Sequence, residues 1–359
     1  MPREIVANPF KRPGVSCVIC CHNSEKRLPK TLHYLSKQKV DPSIEWEVII
    51  VNNGSTDFTP QVARQSWPSV LKISLSIVDE SQLGLMHARR KGFEEALFDI
   101  VSFIDDDNWV CETWVQTIFH VMKRYPDIGA CGGTNTVISE TQLPWWFHKF
   151  QRSYAVGCQG ETAGDITWKR GVLFGAGLTV RKYAWEDLIS AGFQPLSVGR
   201  KGRLLTCGED YEICLALRLR GWKIWYEPSL RLQHYMTSSR LRWSYLCKTL
   251  RLVGWSSPDL DPYYYASSKI SSGKSLLLDV KMYWLIEIFR AIKGLIMILP
   301  TFIISILVSC EGNDKVLLKE RLLGRISRLS SLRTEFDESC LCIMNSAWLC
   351  KKIKFEVEK

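Results

Sequence analysis

The sequence predicts an α/β doubly wound, mostly parallel sheet followed by a mainly helical C-terminal region. Two observations predict the sheet. Short apolar runs rich in Val and Ile recur in the first 110 residues, each ending in polar residues, and helical periodicity fills the stretches between them. Continuous apolar runs suit strands covered on both faces, the condition of a parallel sheet. Strand–helix alternation marks the doubly wound class. A third observation, a change of composition near residue 240, marks off the helical region.

The first run, "VSCVICCHN" at 15–23, ends at His22 and Asn23. A helix follows over 25–38, with Leu28, Leu32 and Leu35 at helical spacing. The second run, "WEVIIVNNGSTD" at 46–57, ends at Asn52, Asn53 and the Gly54 turn. Residues 85–98 carry Ala88, Phe93, Ala96 and Leu97 and read as the next helix. The third run, "DIVSFIDDDN" at 99–108, ends in Asp105, Asp106 and Asp107. Ligands of doubly wound sheets bind at the carboxyl ends of the strands, so the three polar clusters are expected in one pocket. Beyond them, "IGACGGTNTVI" at 128–138 reads as a strand with a Gly132-Gly133 break. An aromatic loop spans 143–157. "GEDYEICLALRLRGWKIWYEP" reads as a helix over 209–220, a turn at Gly221 and a strand over 222–226.

Net charge is +10, and the segment 235–359 holds 19 Lys/Arg against 12 Asp/Glu. A basic excess there favours an anionic partner, lipid or nucleic acid, but no aromatic-interleaved groove motif supports nucleic acid. "GLIMILPTFIISILVSC" at 294–310 is 17 residues without a charge. That length reaches only about 25 Å as a helix, so an interface-lying or re-entrant segment is expected ahead of a full span. A buried core helix is the alternative. "KVLLKERLLGRISRLSSLR" at 315–333 reads as a basic amphipathic helix with Leu318, Leu322, Ile326 and Leu329 on one face. It suits either an anionic lipid surface or packing on the rest of the protein. No apolar leader opens the chain, and 13 scattered cysteines suit reduced thiols in a cytosol. The expected place is thus the cytoplasmic face of a membrane.

Three adjacent acids at a strand end repel one another. Capping a helix near Cys111 would need only one of them. A hard divalent cation, Mn2+ or Mg2+, accounts for the cluster better, since such ions take oxygen ligands and share them with phosphate. A second acidic pair, Glu209 and Asp210, opens a helix, and His234 lies beyond the next strand. Arg89 in "GLMHARRKGF" is a candidate for an anionic diphosphate. There is no Walker motif and no GxGxxG after the first strand, which disfavours P-loop and dinucleotide enzymes.

Taken in order, "VSCVICCHNSEKRLPKTL", "WEVIIVNNGSTD", "GLMHARRKGF", "FIDDDNW" and "GEDYEICLALRLRGWKIWYEP" resemble the family-2 glycosyltransferases of GT-A fold. The resemblance covers residues 13–240, which implies a catalytic domain there and a helical, membrane-associating region over 241–359. It implies transfer of a sugar from a nucleotide-diphosphate sugar to a glycan or lipid-linked acceptor, with inversion and a divalent cation. By position, Cys21 and Asn53 would lie at the nucleotide base, and Asp105 and Asp106 at ribose and diphosphate. Asp107 would hold the metal, with His234 completing its sphere, and Asp210 would be the base. The family often has aspartate where Asn52 and Asn53 stand, and Cys20 to Asn23 replace its usual first strand end. Trp145, Trp146, Trp168 and Glu209 are acceptor candidates, aromatic rings being suited to stacking on sugars. A nucleotidyltransferase or a non-catalytic membrane-surface scaffold are the alternatives.

Overall fold

The computed structural model describes residues 11–196, 208–272, 283–308 and 310–350. The chain runs β1 (Val15–Cys21), α1 (Leu28–Leu35), β2 (Trp46–Asn53), α2 (Thr59–Ser66), β3 (Leu75–Glu80), α3 (Leu85–Glu95), β4 (Ile100–Phe103), β5 (Asn108–Val110), α4 (Trp114–Arg124) and β6 (Ile128–Ser139). It continues with α5 (Phe147–Phe150), a 3-10 turn (Gln151–Tyr154), β7 (Gly164–Asp165), β8 (Thr179–Arg181), α6 (Lys182–Ser190), α7 (Glu209–Arg220) and β9 (Lys223–Met236). The remaining helices are α8 (Trp243–Ser256), α9 (Asp261–Ser272), α10 (Tyr283–Val308), α11 (Asp314–Leu332) and α12 (Thr334–Asn345).

One sheet carries the order β3-β2-β1-β4-β8-β6-β9-β5, with β7 also on β9. The long strands run parallel. Only the short β5, β7 and β8 oppose their neighbours. Both faces are covered, because successive side chains of a strand point to opposite faces. On β1, Val18 enters one core with Phe93 and Phe103, while Cys17 and Ile19 enter the other with Leu28 and Leu32. The apolar runs are continuous for this reason. Pairing of Cys21 with Asn52, and of Val18 with Phe103, brings the polar ends of three strands together.

Several elements differ from expectation. The helix α2 and the strand β3 were not anticipated. β3 is a half-buried edge strand, so its sequence lacks a continuous apolar run. The third run stops as a strand at Phe103, and Asn108 opens β5. The strand expected over 222–226 extends to Met236. It passes Pro228 through a register shift against Gly133, where a Cβ would stand 2.0 Å from the Leu230 carbonyl oxygen. The helix α7 matches its expected bounds and ends at Gly221, whose φ of 105° suits glycine.

The C-terminal helices pack onto the sheet's helical layer. α8 and α11 touch backbone to backbone. A Cβ on Gly254 would lie 1.9 Å from the Arg321 carbonyl oxygen, and one on Gly324 1.9 Å from that of Arg251. Part of the basic face of α11 is spent inside the protein. Arg325 pairs with Asp261 and Glu287, and Arg328 with Asp259. Leu329 is buried, whereas Leu318 is exposed, so the expected apolar stripe does not form one lipid-facing surface. The uncharged run 294–310 falls largely in α10, and the side chains of 300–309 lie outside the described residues. Leu285, Phe289, Ile292, Ile296 and Leu299 of α10 form an exposed stripe. Among the described residues, no helix is long and apolar enough to cross a membrane.

Candidate active site

A cavity of about 670 Å³ opens at the carboxyl ends of β1, β2 and β4. It gathers Cys21, Asn53, Arg89, Asp105, Asp106, Asp107, Glu209, Asp210 and His234 on its walls. The opposite wall comes from α8, α9 and α11, through residues such as Leu250, Val253, Asp261 and Arg321.

The acidic triplet sits in the turn between β4 and β5, and its members face different partners. Asp106 turns toward α1, where Arg27 donates to it through Nη2 at 2.6 Å and Nε at 3.1 Å, beside Ser24. Burial pushes its carboxyl upward against the pull of Arg27. Asp107 turns toward β9. Arg240 Nη1 donates to its Oδ2 at 2.8 Å, and His234 Nε2 lies 3.4 Å from Oδ1. Burial works against its charge, but His234 and Arg240 hold its carboxyl well below the usual range. Antiparallel pairing of Asn108 with His234 creates this meeting, which places His234 inside β9 rather than after a strand. Asp105 lines the cavity above Arg89 and contributes to its field.

His234 Nδ1 lies 2.9 Å from the Tyr154 carbonyl oxygen. An oxygen acceptor there requires an N–H, which leaves Nε2 facing Asp107. The Tyr154 hydroxyl in turn donates to the Arg240 carbonyl at 3.1 Å. A carboxylate and a carbonyl-oriented imidazole fit a divalent cation that takes its other ligands from phosphate and water. Among the described residues, no three His, Cys, Asp or Glu side chains gather in ligating geometry. The protein would thus supply two ligands, with Arg240 standing across both.

Arg89 reaches the cavity wall from a site where it is almost wholly buried. Its Nη1 lies 3.9 Å from Glu209 Oε1, and its guanidinium faces the Phe103 ring. Burial opposes its charge, but Glu209, Asp210 and Asp105 more than restore it. A Cβ on Gly175 would lie 2.8 Å from Arg89 Nη2 and 3.1 Å from Asp210 Oδ2, so this glycine lets the two approach the cavity floor. Asn53 is engaged on every side. Its amide donates to the Glu80 and Gln82 carbonyls, and its oxygen accepts from Gly84 N–H. It shapes the loop before α3 instead of offering a free edge to a base. Cys21 is buried, and burial raises its thiol pKa well above the ordinary value; that of Cys20 is pushed up to about 12. Both stay protonated.

The three tryptophans do not line the cavity. Trp146 is buried with its ring 5.2 Å from that of Trp243, because the aromatic loop folds as α5 against α8. Trp168 packs its face under Arg218, and Trp145 is 73% exposed beside Gly312. Sequence reasoning missed Arg27, Tyr154, Gly175 and Arg240. Only Arg240 carried a local signal, six residues past His234.

Residues 16–188 match glycosyl transferase family 2. Among curated proteins, the chain is 22% identical over 276 residues to glucosyl-dolichyl phosphate glucuronosyltransferase of Haloferax volcanii, covering 76% of this chain and 85% of that one. It is 24% identical over 221 residues to poly-beta-1,6-N-acetyl-D-glucosamine synthase of Staphylococcus aureus, covering 60% and 48%. Two further curated relatives are matched over 31% and 34% of their length. Among solved structures, S. aureus TarS 1-349 aligns with a TM-score of 0.46 at 16% identity, covering 93% of this chain and 90% of that chain.

Proposed function

We propose, from the match of residues 16–188 to glycosyl transferase family 2, that this chain transfers a sugar from a nucleotide-diphosphate sugar to a glycan or lipid-linked acceptor, with inversion and with a divalent cation. The observation that supports this reading is the single cavity that brings Asp105–Asp107 and Glu209–Asp210 to the strand ends. Residues 13–240 form the catalytic part, and the helices beyond supply the acceptor wall.

Asp210 accepts the proton of the attacking hydroxyl. A single base opposite the leaving group gives one displacement and inverted stereochemistry. Asp107 and His234 would hold Mn2+ or Mg2+, which would supply neutralisation of the leaving diphosphate. Asp105 and Asp106 orient the ribose and diphosphate, and Cys21 and the Asn53 loop border the base. Arg89 acts from beneath as the counter-charge that faces Glu209 and Asp210 and holds them in place. The exposed stripe of α10 lies on the cytoplasmic leaflet, its polar side turned to the protein through Glu287.

Calorimetry of the full chain with UDP, GDP and dTDP, each with and without Mn2+, tests the reading. One nucleotide is expected to bind with an affinity that Mn2+ increases. Absence of binding to any of the three in either condition would overturn it.

A further inference from the structure

We propose that Arg240 is the resting counter-ion of Asp107 and hydrogen-bond partner of His234, and that it leaves them to grip the donor diphosphate when the donor binds. The proposal rests on the reading of Asp107 and His234 as a cation site. Arg240 donates to Asp107 Oδ2 at 2.8 Å, and its Nη2 lies 3.5 Å from His234 Nε2. One guanidinium therefore spans the two groups a divalent cation would use. It keeps a carboxylate and an imidazole facing each other before any ligand arrives.

The resting pose is incomplete. Arg240 Nε is buried and has no hydrogen-bond partner among the described residues. Such a group favours any move that fills it. The backbone, by contrast, is fixed. Arg240 N–H donates to the Thr237 carbonyl at 3.0 Å, and the Arg240 carbonyl accepts from the Tyr154 hydroxyl. His234 is held separately, by the Tyr154 carbonyl. The Arg240 side chain can swing while its own backbone and His234 stay where they are. It lines the cavity with about a fifth of its surface exposed, and a planar guanidinium matches two phosphate oxygens.

A linkage follows. A cation arriving alone displaces the guanidinium with no new partner for it. A cation arriving with a nucleoside diphosphate gives the guanidinium a place to go. Arg240 thereby makes cation and nucleotide bind cooperatively, and the coupling is reciprocal.

Mn2+ binding to the full chain, followed by electron paramagnetic resonance, tests this. Mn2+ is titrated alone and then with the tightest-binding member of UDP, GDP and dTDP. Arg240→Gln is expected to raise affinity for Mn2+ alone by about tenfold and to shrink the gain brought by nucleotide by about tenfold. A merely structural role would lower both affinities. Arg240→Lys keeps the charge but cannot span both partners, so it is expected to show a smaller rise. That rise decides the matter if the glutamine variant does not fold. Should wild type bind Mn2+ with nucleotide while neither variant gains affinity for Mn2+ alone, the role of Arg240 is wrong and the cation reading stands. Should wild type bind no Mn2+ with any nucleotide, the cation reading fails and carries this proposal with it.

Discussion

The two walls of the cavity handle charge in opposite ways. The strand-end wall sets Asp105, Asp106, Asp107, Glu209 and Asp210 against Arg27, Arg89 and Arg240, so acids are in excess. The helical wall pairs several of its charges within itself. Arg325 meets Asp261 and Glu287, Arg328 meets Asp259, and Arg251 meets Glu320. A closed network stiffens a surface, whereas an open one leaves field for a ligand. The difference separates a wall with charge to offer a ligand from a wall that mainly holds its own shape.

The largest expected effect breaks the first wall. Asp210→Asn should lower kcat by about 10²–10⁴-fold while nucleotide affinity holds, measured by transfer assay and calorimetry. Normal turnover would place the base elsewhere. A smaller effect breaks the second wall. Gly324→Ala forces α8 and α11 apart and should cost about 1–3 kcal/mol of stability in urea unfolding, again with nucleotide binding intact. Unchanged stability would mean the two backbones are not so closely apposed. The smallest effect sharpens the comparison at the outer surface. Phe289→Asp should weaken binding to anionic vesicles by about tenfold and leave unfolding unchanged. Equal vesicle binding would remove α10 from the membrane reading.

Much of the first wall was legible in the sequence, because local patterns encode it. Buried parallel strands write continuous apolar runs, and Gly208 and Gly221 bracket α7. What was not legible depends on pairing between distant segments. Asp106 meets Arg27 from 79 residues away, and Asp107 meets Arg240 from 133 away. No spacing rule reaches that far. The basic residues of α11 show the same limit. Their periodicity suits lipid, but only tertiary partners reveal that Arg325 and Arg328 are already paired with acids of the protein. Trp146 shows it for aromatic residues, since its exposure is decided by α8.

Glu287 stands on α10, and its carboxylate is bonded both to Tyr265 on α9 and to Arg325 on the cavity wall. The apolar ridge outside and the cleft inside are thus riveted together by one side chain. Removing that carboxylate would therefore free Tyr265 and Arg325 at once, loosening the outer helix and the cleft wall together.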